Sequence, residues 1–199
     1  MLRPRIGASA DLLAVGLGNP GSEFAGSRHN AGADVVTLLA GRYGERLRAA
    51  KRERSLVAEL RVEGKLLAVA FPQTYMNDSG LAVAHLVRRF GVSADMSRLV
   101  IVHDELDLPV GRLQVKAGGG LAGHNGLKSI TAHLHTDAFS WVRIGIGKPP
   151  GKQQGVDHVL KAPGKREREE LAVVIEEAAD AVVCILTEGI AAAQNRFNR

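Results

Sequence analysis

Apolar and polar positions along this 199-residue chain fall into blocks whose period switches repeatedly between strand-like and helix-like. The stretch Leu12 to Asn30, LLAVGLGNPGSEFAGSRHN, opens as an apolar run, turns through a Gly/Asn/Pro cluster and ends in a His-Asn pair. That is the pattern of a buried strand feeding a loop. Ala31 to Tyr43 then carries Val35, Val36, Leu38 and Leu39 at helical spacing. Ser55 to Val62 alternates and Leu66 to Phe71 is a denser apolar run; Glu63-Gly64-Lys65 between them reads as a hairpin turn. After the loop PQTYMNDSG, which starts at Pro72, Leu81 to Phe90 sets Val83, Leu86, Val87 and Phe90 on one helical face. Leu99 to Val102 is a short apolar strand that breaks off in HDELDLP. Gly111 to Ala117 alternates and runs into GGGLAGHNG, followed by a helical pattern over Leu127 to Leu134. Trp141 to Lys152 reads as a strand ending in a Pro/Gly loop, and Val156 to Leu160 is too short to assign. From Arg166 the spacing of Leu171, Val174, Ile175, Ala178, Val182, Ile185 and Leu186 predicts a long amphipathic helix stopping near Gly189, with a short helix after it.

Strands alternating with helices, one hairpin excepted, predict one α/β domain. The expected architecture is a three-layer α/β/α sandwich around a mixed, mostly parallel twisted sheet, spanning residues 12–199 after a flexible leader of residues 1–11. No apolar stretch approaches the length of a membrane span, and no apolar core follows Arg3 and Arg5 as a secretory signal requires. The single cysteine, Cys184, excludes an internal disulfide framework and suits the cytoplasm. On the helical pattern it reads as a packed core thiol.

Charge changes the picture further. The chain carries a net charge of +5 with aromatics at only 4%. The excess concentrates in Arg42 to Ser55 and in Lys161 to Arg168. Such clusters suit a nucleic-acid partner, or equally a solvated helix face. With so few aromatics, any nucleic acid is expected to be met through its backbone rather than by base stacking.

Candidate chemistry lies where buried strands meet loops. His29 is the side chain best placed to move a proton near neutral pH. The carboxylates after the Leu99 to Val102 strand can orient it as a general base. Asp104 is the natural partner, while a cap is the favoured reading for Glu105 and Asp107 singly. The same neighbourhood offers His29, His103, Asp104, Asp107 and His124 as metal ligands, but no recognised ligand spacing occurs, and His133 and His135 do not share a helix face. Gly16 to Gly21 matches G-x-G-x-x-G, yet Pro20 and a polar run delay the helix and no acidic residue follows the next strand, so a dinucleotide site is disfavoured. No G-x-S-x-G elbow is present. Water activated by His29 is what remains. Asn19, Asn77 and Asn125, each on its own loop, supply uncharged donors and acceptors for a peptide unit or an oxyanion.

Taken in order, GLGNPG-x-x-F-x-x-S-RHN-A-G, YMN-x-SG, HDELDLP-x-G, K-x-GGG-x-x-GHNGL and R-IGIG-x-P resemble bacterial peptidyl-tRNA hydrolase from about Leu12 to Asn195. The resemblance implies a monomeric α/β hydrolase, with no cofactor and no metal, that cleaves the ester between a peptide and the 3′ ribose of tRNA. Its partner would be peptidyl-tRNA, met at the acceptor end and along the nascent peptide, and the tRNA would be recycled. By motif position, the resemblance implies that His29 activates water, that Asp104 keeps it basic and oriented, and that Asn19 separates N-blocked from free aminoacyl groups. It places Phe24, Tyr75, Asn77 and Asn125 at substrate and tRNA contacts with Met76 beside them, and Lys116 and Arg143 at positions that meet phosphate. The chain departs from the family's usual residues at Phe24 (Tyr), Ser27 (Thr) and Ala122 (Gly). A related binding module that keeps the basic surface without turnover is the alternative. Retention of His29, Asp104 and all three asparagines favours the enzyme.

Overall fold

A computed structural model describes residues 9–121, 123–149 and 155–198. The chain runs Leu12–Gly16 (β1), Ala31–Arg42 (α1), Arg48–Ala50 (β2), Ser55–Val62 (β3), Lys65–Pro72 (β4), Ser79–Arg89 (α2) and Leu99–Glu105 (β5). It continues through Leu113–Ala117 (β6), Asn125–Leu134 (α3), Ser140–Gly145 (β7), Gly155–Leu160 (α4), Lys165–Glu188 (α5) and Ile190–Phe197 (α6).

The strands form one sheet in the order β2-β3-β4-β1-β5-β7-β6. β4, β1, β5 and β7 are parallel; β3 and β6 run against them, and β2 is antiparallel to β3. The sheet is thus mixed, with its parallel strands at the centre. β1 is buried at every position because helices cover both faces, which is why it reads as an unbroken apolar run. Alternate residues feed two cores. Leu12, Ala14, Val69, Val100, Val102 and Val142 pack under Val35, Val36 and Leu39 of α1 and Leu171, Val174, Ala178 and Val182 of α5. Leu13, Val15, Ala68, Leu99, Ile101 and Trp141 pack under Val83, Leu86, Val87 and Phe90 and under Leu127 and Ile130 of α3. The β3–β4 hairpin turns on Glu63 and Gly64, both at positive φ (50° and 81°), with Val62 opposite Lys65. This is the primed two-residue turn that matches strand twist.

Three elements differ from the sequence pattern. β5 does not stop at Val102: its pairing with β7 continues through His103, Asp104 and Glu105, all buried. A periodicity that counts only apolar residues ends the strand where its side chains turn polar. β2 is a three-residue edge strand inside the Arg42 to Ser55 basic cluster, too short to give a pattern. α4 forms over the segment left unassigned. At the start of the chain, Ala10 is buried and donates to Phe90 O at 2.9 Å, and Asp11 exchanges bonds with Leu66. Of the flexible leader expected over residues 1–11, Ala10 and Asp11 are therefore fixed to the sheet; residues 1–8 lie outside the described residues, as does Ala122.

Asp34, in the first turn of α1, is half-buried and has no ion-pair partner among the described residues. Burial raises its carboxyl from 3.8 to about 6. A raised folded-state value contributes stability that is complete below 3.8 and is lost as pH rises through about 6. Asp34→Asn should therefore stabilise the fold at pH 8, by roughly 1–2 kcal/mol after allowance for partial exposure. The gain should vanish near pH 4, as read by denaturant titration at the two pH values.

Candidate active site

A cleft of about 570 Å³ opens at the carboxyl ends of β1 and β5, lined by Asn19, Phe24, His29, Asp104, His124 and Asn125 among others. Close backbone approach fixes where α1 begins beside it. A Cβ on Gly32 would lie 2.1 Å from Val102 O, and one on Gly16 2.0 Å from Gly32 O, so only glycine lets α1 start directly against β1 and β5. The glycines of the G-x-G-x-x-G pattern thus include one used for helix–strand packing.

Just before α1, Arg28–Asn30 makes one 3-10 turn. Its middle residue, His29, meets Asp104 with Nδ1 2.8 Å from Oδ1. His124, the N-cap of α3, also reaches Asp104 Oδ1, through Nε2 at 3.1 Å. Tautomers follow from the partners. His124 Nδ1 accepts from Gly126 N (3.1 Å) and Leu127 N (3.4 Å), so its proton sits on Nε2 and is donated to Asp104. Asp104 is only 2% exposed. Burial alone raises its carboxyl, but the His29 and then the His124 imidazoles, through their charge when protonated and through hydrogen bonds, outweigh burial and hold it far below the usual carboxylate range. The ionised Asp104 accepts from His29 Nδ1–H, which leaves Nε2 of His29 as a lone pair. That is the arrangement of an oriented general base.

The same three side chains each present a donor atom within 4.8 Å of the others, a candidate three-ligand metal set. A cation would need lone pairs on His29 Nδ1 and His124 Nε2, the two atoms that hydrogen bonding assigns as N–H. His103 and Asp107 do not join it: His103 Nδ1 donates to Asp104 O at 2.7 Å, and Asp107 pairs with Lys148 at 2.8 Å.

The asparagine loops converge. Asn19 Oδ1 accepts from Met76 N at 2.8 Å, and its backbone is clasped by Asn30 through Asn19 N to Oδ1 (2.9 Å) and Nδ2 to Asn19 O (2.9 Å). This assigns the Asn19 amide and leaves its Nδ2 uncommitted among the described residues. Asn77 and Asn125 line the same cleft, as do Phe24, Tyr75 and Met76, with Phe24 and Tyr75 edge to face at 6.4 Å. Lys116 and Arg143 do not line it. They lie on β6 and β7 against Trp141, and Arg143 is spent on Gln114 Oε1 (3.1 Å), Gly120 O (3.1 Å) and Glu105 (3.5 Å). Glu105 also caps Asp107 N at 3.1 Å, as expected of a turn cap. Sequence reasoning missed His124 as a partner of Asp104, since histidine is not among the usual N-caps. It also missed the apolar wall of Leu106, Val156, Val159 and Leu160, most of which comes from α4.

The family model described as Peptidyl-tRNA hydrolase matches residues 13–199. The peptidyl-tRNA hydrolase of Cutibacterium acnes is 46% identical over 200 residues, covering 96% of this chain and 99% of that one. That of Nocardia farcinica is 47% identical over 191 residues, covering 96% and 98%. A crystal structure of peptidyl-tRNA hydrolase from Acinetobacter baumannii superposes with a TM-score of 0.88 at 36% identity, over 96% of each chain.

His103, fully buried, is pushed down from 6.5 to about 3, by burial first and then by His124. Its lowered value means that the unfolded chain protonates first, so stability present above pH 6.5 is lost as pH falls toward 3. The His103 ring resonances should not titrate between pH 7 and pH 4 in NMR; a midpoint near 6.5 would overturn this reading.

Proposed function

The chain belongs to the peptidyl-tRNA hydrolase family and hydrolyses peptidyl-tRNA, and we propose that it does so with water activated at His29 Nε2. The observation that carries this is the 2.8 Å contact between His29 Nδ1 and a carboxylate held ionised in the cleft. Water hydrogen-bonded to Nε2 gives up its proton to His29 as its oxygen attacks the ester carbonyl. The bond from that carbonyl to the 3′ ribose oxygen then breaks, and the proton passes from His29 to the leaving oxygen. The products are free tRNA and a peptide carboxylic acid. A positioned base of this kind contributes roughly 10²–10⁴-fold. His124 holds the other side of the Asp104 contact. Asn19, with Nδ2 free, meets the first peptide unit of an N-blocked substrate, and Asn77 and Asn125 grip the peptide or the oxyanion beside it.

The tRNA is met through its phosphates. Arg46, Arg48, Lys51, Arg52 and Arg54 are exposed just before β2, on it and in the turn after it, with no acidic partner among the described residues. Arg54 O accepts from Gln73 N at 2.7 Å, which ties this turn to the loop carrying Tyr75 and Asn77. Lys116 adds charge on the opposite flank of the sheet. The reading includes a monomer in a reducing, cytoplasmic setting, which the single buried cysteine supports. Among the described residues no helix is long and apolar enough to cross a membrane.

Release of free tRNA from an N-acetylated aminoacyl-tRNA, run beside the unblocked aminoacyl-tRNA, tests the chemistry. The blocked substrate should be cleaved selectively, and His29→Ala should lose at least about 10²-fold in turnover with the fold intact. Retained activity would sink the assignment of the base, and tight tRNA binding without cleavage would favour a binding module. For the partner, tRNA affinity should fall about tenfold or more between roughly 50 and 200 mM salt as counterions are released. A flat response would count against phosphate contacts.

A further inference from the structure

We propose that Arg28 is a positioning residue that fixes the apolar wall of the cleft at a set distance from His29, and so decides which acyl side chains the cleft accepts. The proposal rests on the reading of this cleft as the acyl site. Arg28 directly precedes His29 in the 3-10 turn, and its side chain is only 9% exposed. One edge of the guanidinium grips Glu167, in the first turn of α5, with Nε to Oε1 at 2.5 Å and Nη2 to Oε2 at 2.6 Å. The remaining nitrogen, Nη1, donates to His158 O (3.1 Å), Lys161 O (3.0 Å) and Ala162 O (3.5 Å), and Arg28 N donates to Lys161 O at 3.3 Å. These are carbonyls of the last turn of α4 and of the residues after it, where a cation suits the helix dipole.

α4 has six residues, too few to hold a helical conformation alone. Apart from the clamp, its ties among the described residues include Val159, packed into the core, and a 3.4 Å contact from His158 Nε2 to Ile146 O. Yet α4 supplies Val156, Val159 and Leu160 to the same cleft that the asparagines line, with Val156 61% exposed. Apolar side chains left open on one wall suit the uncharged side chain of an acyl group. Because Arg28 and His29 are consecutive in one turn, no flexible element separates the wall from the base. Lysine does not substitute: only the planar five-donor fork serves a carboxylate and three carbonyls together.

The test uses Glu167→Gln and Arg28→Lys against the unmodified protein, with tRNA charged with N-acetyl-leucine or N-acetyl-glycine. Both variants should lose about tenfold in kcat/KM on the leucyl substrate, through KM with kcat nearly constant, and under threefold on the glycyl one. Backbone amides of residues 156–161 should exchange faster while those of β1 and α1 do not. Equal losses on both substrates, losses in kcat alone, or unchanged amide exchange in α4 would each overturn the proposal. Should the unmodified protein cleave neither substrate, the acyl-site reading itself fails instead.

Discussion

A carboxylate held almost out of water at the end of a central strand is the constraint on which this site depends. Moving an ionised group into the interior costs several kcal/mol unless partners repay it. Asp104 meets that cost with N–H donors from His29 and His124 on one oxygen. Each donor is itself fixed by something larger. His124 owes its tautomer to the first amides of α3, and His29 owes its position to α1, which starts in backbone contact with β1 and β5. The carboxylate therefore aligns two helix starts as well as two rings. Shifting either helix by a fraction of an ångström would leave a buried charge short of a partner, so packing and chemistry are enforced together.

The 3-10 turn ahead of α1 shows how little chain this takes. With three residues per turn, consecutive side chains leave about 120° apart. Arg28 goes to α4 and α5, His29 to β5, and Asn30 to the Asn19 loop. An α-helical start would have rotated the three by about 100° each and swept one of the anchors off its target. The motif R-H-N is thus legible as a set of three directions, each tied to a different part of the fold.

Much of this was readable in advance and some was not, for identifiable reasons. β1, the β3–β4 hairpin, α2 and α5 announce themselves through apolar period and turn residues, because their energetics is burial. His29 and Asp104 were visible because a titratable residue beside a strand-end loop has few structural reasons to be there. β2 and α4 were invisible: three and six residues carry no period, and each is held by contacts to distant chain. His124 was hidden by its own economy, one ring capping α3 through Nδ1 and serving Asp104 through Nε2. The resemblance implies a phosphate contact for Arg143; its bonds to Gln114, Gly120 and Glu105 could not be read from the sequence, because those partners lie far away along the chain.

Behind the site, the structure tolerates polar atoms that hydrogen bonding does not satisfy. Among the described residues, His103 Nε2, Trp141 Nε1, Arg143 Nε and Glu105 Oε2 are buried without hydrogen-bond partners, and they sit together on β5 and β7, where Arg143 Nε and Glu105 Oε2 face each other as an ion pair at 3.5 Å. They are not without interactions. His103 meets His124 edge on at 4.8 Å and Trp141 at 6.5 Å, while Arg143 stacks over Trp141 at 5.0 Å. Ring contacts of this sort are worth about 0.5–1.5 kcal/mol each, less than His103 Nε2 and Trp141 Nε1 cost when left without a hydrogen bond. What the layer supplies instead is a dry, polarizable backing that keeps His103 neutral next to His124. A protonated His103 would compete for Asp104 and repel His124, loosening the grip on the one carboxylate the base needs. The unsatisfied atoms are therefore tied to the proton inventory of the site: excluding water from this layer leaves Asp104 answering only to the rings in the cleft.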